Sequence, residues 1–114
     1  MVNSRVDPLR VAVIGTGFGG RVQLPALLGL AETNVVALCG AHEQKTRDIA
    51  AQYGVRAVYT DYEQMFIDVH PDLVSITTPP SLHNPMTVAA FQAGAHVLCE
   101  KPLAMNVTEV EEMI

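Results

Sequence analysis

A chain of 114 residues can hold one modest domain with its own core, but not two. With 49% hydrophobic residues it is too apolar to be disordered. Its net charge of -5, from 7 basic and 12 acidic residues, argues against a general nucleic-acid or membrane-surface binder, so an anionic ligand would be held by local geometry.

Residues 1–8 are polar and lack the apolar core of a signal peptide. No apolar run approaches the ~18 residues of a membrane span, and no membrane partner is expected. The first strand is predicted over Arg10–Ile14, ending at Gly15, and the first helix over about Gly20–Leu30. Pro25, little more than one turn into that helix, should kink or shorten it. A second strand follows at Asn34–Cys39, then a helix at Glu43–Tyr53 stopped by Gly54. A short third strand at Val58–Tyr59 leads to a helix over Tyr62–Val69. The fourth strand, Asp72–Thr77, is followed by a helix at Ser81–Ala93 that Gly94 stops, and the fifth strand is His96–Cys99.

Strands apolar on both faces, alternating with helices, suit an α/β fold with a doubly wound parallel sheet of the Rossmann type. The expected strand order is 3-2-1-4-5. Asn106-Val107-Thr108-Glu109 reads as a capping box, and Val107, Val110, Met113 and Ile114 recur at helical spacing. A helix cut after two turns suggests a partial gene or an excised domain, truncated before any sixth strand, with the fifth strand left as an apolar edge. Cys39 and Cys99 sit in apolar strand runs, not in metal-ligand spacing. They read as buried reduced thiols of a cytoplasmic protein, and no metal site is expected.

Gly15-Thr16-Gly17-Phe18-Gly19-Gly20 is a G-x-G-x-x-G sequence between a strand and a helix, the context in which such a loop cradles a dinucleotide. Gly15 would permit the tight turn, Gly17 the approach of a pyrophosphate, and Gly20 close packing of helix on strand. Arg21 reads as a solvated surface residue rather than a phosphate contact. At the end of the second strand, an acidic side chain would accept hydrogen bonds from the adenosine ribose. Here Gly40-Ala41-His42 stands instead, with Lys45 and Arg47 following. Small residues with cations nearby favour NADP over NAD as cofactor, unless both cations merely decorate an exposed helix face.

Two further stretches are more specific: Thr77-Thr78-Pro79-Pro80-Ser81-Leu82-His83, and Ala93-Gly94-Ala95-His96-Val97-Leu98-Cys99-Glu100-Lys101-Pro102. Together with the glycine loop, they resemble the N-terminal nucleotide-binding domain of the Gfo/Idh/MocA oxidoreductases, which include glucose-fructose oxidoreductase and inositol dehydrogenase. The resemblance implies that Thr77, Pro79 and His83 lie beside the cofactor, although a histidine in the first turn of a helix would look the same without that role. It implies that Glu100 and Lys101 sit near the nicotinamide, with Lys101 as the catalytic residue that orients the substrate hydroxyl and assists its proton transfer. A cis Lys101-Pro102 bond would aim the lysine into the site. A carboxylate beside it, such as Glu100, would favour the ammonium form.

The resemblance further implies hydride transfer between a nicotinamide dinucleotide and a hydroxyl carbon of a sugar or polyol. The substrate would be held by a second domain that these residues do not contain, and the full-length protein would be a homo-oligomer. The 114 residues alone should bind cofactor weakly and turn over little. Two other readings remain open: a non-catalytic NAD(P)-binding sensor or regulator, and an NAD-dependent glycosidase.

Overall fold

The computed structural model describes residues 8–99 and 107–114, with 18–20, 80, 107, 109 and 110 described by backbone alone. Five strands alternate with helices: β1 (Leu9–Ile14), α1 (Phe18–Leu28), β2 (Thr33–Cys39), α2 (Glu43–Tyr53), β3 (Ala57–Tyr59), α3 (Tyr62–Val69), β4 (Leu73–Ile76), α4 (Pro80–Gln92), β5 (His96–Cys99) and α5 (Val107–Met113). All strand pairs are parallel and the order is β3-β2-β1-β4-β5, as expected.

Alternation along the strands divides the core in two, because successive side chains point to opposite faces. Val11 and Val13 of β1 join Val35 and Leu38 of β2 in a cluster with Leu24 of α1 and Ile49 of α2. Ala12, Ile14, Ala37, Cys39, Val74 and Ile76 face the other way, against Met65 and Phe66 of α3 and Met86 and Ala90 of α4. Helices therefore cover both faces, which is what double winding requires. A register shift between Val11 and Ala12 leaves Val36 of β2 without an opposite number. On β4, the fully buried Ser75 hydroxyl is satisfied by the side chain of Gln23 on α1.

The first helix differs from expectation. It starts at Phe18, immediately after Gly17 as N-cap, rather than at Gly20, and ends at Leu28 rather than Leu30. Pro25 lies inside it, three residues before its end. Its missing N–H there removes one bond just before the helix ends, and the Gly29 amide donates to Pro25 O at 3.1 Å. The glycine stops hold: Gly54 and Gly94 have φ of +74° and +86°. The third helix stops without glycine, on His70 at φ 49°. Cys39 is buried and Cys99 half-buried, and neither is in a disulfide. On α5, Met113 is buried but Ile114 is almost fully exposed, and the capping residue Asn106 lies outside the described residues.

Candidate functional site

In an open parallel sheet, the crevice lies outside the carboxyl ends of the strands, where adjacent connections leave in opposite directions. That point falls here between β1 and β4, whose following helices α1 and α4 lie on opposite faces. A cleft of about 760 Å³ opens there, lined by the ends of β1, β2, β3 and β4.

The β1–β4 side is held by backbone. Gly15 adopts φ +123°, and a Cβ on it would fall closer than 3.0 Å to the Thr77 hydroxyl. Glycine is needed there for both conformation and space. The Thr77 amide and hydroxyl both donate to Ile14 O, at 2.9 and 3.1 Å, locking the two strand ends together. Gly17 is exposed and extended, and among the described residues, its chain neighbours apart, a Cβ on it would meet nothing within 4 Å. Gly17, the N-cap, offers α1 no side-chain cap. The first turn of α1 follows directly on this cleft-lining residue, and the N-terminal amides of a helix suit phosphate oxygens.

The β2 side is different. Gly40 lines the cleft, while a Cβ there would fall closer than 3.0 Å to both Thr46 Oγ1 and Thr16 Cγ2. The space is taken by threonine side chains. Ala41, His42 and Lys45 line the cleft next to it. Arg47 does not: its guanidinium pairs with Glu43 one turn back at 2.9 Å, on the exposed face of α2.

The floor carries no thiolate or phenolate at neutral pH. Burial pushes the Cys39 thiol up to about 11, with the Asp61 carboxylate adding to the shift. Burial, followed by the nearby Glu63 and Asp61 carboxylates and then Cys39, raises the Tyr62 phenol above its ordinary value. Among the described lining residues there is no carboxylate, and Lys45 brings the one ammonium.

Of the residues singled out from sequence, Gly15, Thr16, Gly17, Gly40, His42, Lys45, Thr77 and Pro79 meet around this one cleft. Phe18, Gly19 and Gly20 form the first turn of α1, with their side chains outside the description. Arg21 is exposed, as expected. Glu100, Lys101 and Pro102 lie outside the described residues. His83 does not line the cleft: it is 1% exposed, and its Nε2 lies 2.7 Å from Thr78 O. It holds the β4–α4 turn from behind. Sequence reasoning missed Thr60 and Tyr62, which follow β3, and Leu82 and Met86 on α4. The strand-end rule would have found the first pair, and the four-residue spacing of the second marks one face of a helix. Among the described residues, no group of three or more His, Cys, Asp or Glu side chains could hold a metal ion, and no helix is long and apolar enough to cross a membrane.

A family model described as "Oxidoreductase family, NAD-binding Rossmann fold" matches residues 9–114. D-glucoside 3-dehydrogenase of Escherichia coli K12 is 36% identical over 108 residues, which is 94% of this chain and 31% of that protein. The scyllo-inositol 2-dehydrogenase (NADP(+)) of Bacillus subtilis is 31% identical over 93% of this chain and 32% of its own length. The structure of myo-inositol 2-dehydrogenase from Lactobacillus plantarum superposes with a TM-score of 0.88 at 34% identity, covering 94% of this chain and 32% of the other. The chain thus spans about a third of the length of the curated relatives it matches.

Proposed function

The chain belongs to the Gfo/Idh/MocA oxidoreductase family, and on that premise we propose that it forms the cofactor half of an enzyme that moves hydride between a nicotinamide dinucleotide and a hydroxyl carbon of a sugar or polyol. The observation that carries this reading is the open cradle over Gly17, the glycine N-cap of α1, at the switch point of the sheet. That cradle fits a pyrophosphate. The relatives named above are dehydrogenases of a glucoside and of inositols, which favours a redox enzyme over a sensor or a glycosidase.

The bound dinucleotide would supply the hydride chemistry itself. The work of this chain is to hold and orient it. First-turn amides of α1 would donate to the phosphates, and Gly15 and Thr77 keep the glycine turn rigid against β4. His83 acts one layer back, fixing Thr78 at the rim through its carbonyl. Lys45, in a cleft whose described lining holds no carboxylate, supports NADP over NAD by offering an ammonium to a ribose phosphate. Lys101 is proposed to orient the substrate hydroxyl and assist its proton, with Glu100 favouring the ammonium form. The substrate pocket itself would lie beyond these residues, in the remainder of a protein of the relatives' length. Cys39, buried and outside any disulfide, is compatible with the reducing, cytoplasmic setting we propose.

Lys101→Met in the full-length enzyme tests the catalytic half of this reading. Turnover should fall by at least about a hundredfold, within the range for a positioned acid–base group, with dinucleotide affinity kept. Unchanged turnover would remove Lys101 from the chemistry.

A further inference from the structure

An acidic side chain at the end of β2 is the usual way to bind an adenosine ribose, and position 40 is where this chain would carry one. The backbone does not forbid it: Gly40 is absent from the described glycines with positive φ. Space forbids it. A Cβ on Gly40 would press on Thr46 Oγ1 and Thr16 Cγ2, each closer than 3.0 Å, and would stand 3.2 Å from Thr16 Oγ1.

Neither threonine can readily give way. Thr46 is fully buried, and its hydroxyl donates to His42 O at 2.7 Å. The same carbonyl accepts the Thr46 amide at 2.9 Å, so the start of α2 is tied twice to the turn that faces the cleft. A β-branched side chain has few rotamers, and turning this one would break the hydroxyl bond and drive a methyl into packed surroundings. Thr16 is itself 92% buried, counting from its 8% exposure, and belongs to the glycine turn.

We propose that Thr46, seated against Thr16, bars any side chain from position 40 and is thereby a specificity-determining residue of the cleft. Thr46 touches no ligand in this account. It acts through Gly40, keeping a carboxylate away from the ribose and leaving the choice of dinucleotide to Lys45 and the bare turn. The inference rests on the dinucleotide reading of the cleft for its consequence, but not for its packing.

The test is a cycle of variants in the full chain: Gly40→Asp and Gly40→Ala, each made in the parent background and in a Thr16→Ser/Thr46→Ala background. Melting temperature and the affinities for NAD and NADP are the readouts. In the parent background both Gly40 variants should lower the melting temperature, and Gly40→Asp should gain no preference for NAD. In the trimmed background either substitution should cost markedly less, and Gly40→Asp should raise the NAD-to-NADP affinity ratio by about tenfold, the worth of a charge-assisted hydrogen bond pair gained by the ribose. Gly40→Ala keeps the cycle readable if the aspartate variant does not fold. Additive melting shifts, or a switch to NAD by Gly40→Asp alone, would overturn the proposal. Failure of the parent to bind either dinucleotide would instead overturn the cleft assignment, and it would show before any variant is made.

Discussion

Gly15 and Gly40 stand at the carboxyl ends of neighbouring strands, and threonine side chains press on both, yet the two turns are built differently. At Gly15 the backbone is left-handed, and the space above it belongs to Thr77. At Gly40 the backbone is ordinary, and only Thr16 and Thr46 keep the position bare. A turn set by its own backbone can accept no other residue, whereas one set by neighbouring side chains can be rebuilt by changing them. The difference matches the two ends of a dinucleotide's diphosphate and ribose. The phosphate side must be rigid whatever the cofactor; the ribose side is where cofactors differ.

The largest effect expected from this contrast is at Gly15. Gly15→Ala combines a forbidden φ with overpacking against Thr77, and should cost about 2 to 5 kcal/mol in chemical denaturation. No change on the Thr77 side should recover more than a part of it, because the backbone term remains. A cost below about 1 kcal/mol would show the two turns to be alike.

A second prediction concerns pH and separates the β2 side from the rest. The Cys39 thiol at the end of β2 is raised from its ordinary 9.0 to about 11. Because the folded state holds this proton more tightly than the unfolded chain, the contribution is intact below pH 9 and lost as pH rises towards 11. Stability should therefore fall by on the order of 2 kcal/mol across that window, with the raised phenols of Tyr59 and Tyr62 acting in the same direction at higher pH. Cys39→Ala should flatten the part of the decline between pH 9 and 11. An equally steep decline in the variant would assign it elsewhere.

The smallest effect is at Lys45. Lys45→Ala should weaken NADP by about three- to tenfold at low salt, leave NAD unchanged, and matter less as salt is added. Equal losses for both dinucleotides would mean that the ammonium meets the shared phosphates instead of a ribose phosphate.

Most of the fold was legible because it depends on local signals. Apolar runs of strand length, glycine stops at Gly54 and Gly94, and the G-x-G-x-x-G turn each speak for themselves over a few residues. The start of α1 was misplaced because Phe18 and Gly19 read as loop, when the helix takes both into its first turn. The stop at His70 left no trace in composition, since any residue short of glycine is a poor indicator of a positive φ.

At the site, the limits were those of distance in space. The sequence shows that position 40 is small, but not that Thr46 lies over it, six residues on and one helical turn away. His83 is legible as a residue near the β4–α4 turn, yet its direction depends on how α4 sits on the sheet. There it points inward to Thr78 O rather than into the cleft.

Gly17 is where the central claim is most exposed. It has an unstrained φ of -78°, and among the described residues, its chain neighbours apart, no atom lies within 4 Å of where its Cβ would be, so the described packing does not require glycine there. Titration of the parent and of Gly17→Val with NADP and NAD, alongside their melting temperatures, measures this directly. The account predicts saturable binding by the parent, loss of at least about tenfold in affinity for both dinucleotides in the variant, and an unchanged melting temperature. Unchanged affinity in a variant that folds as well as the parent would contradict a pyrophosphate cradle at this turn.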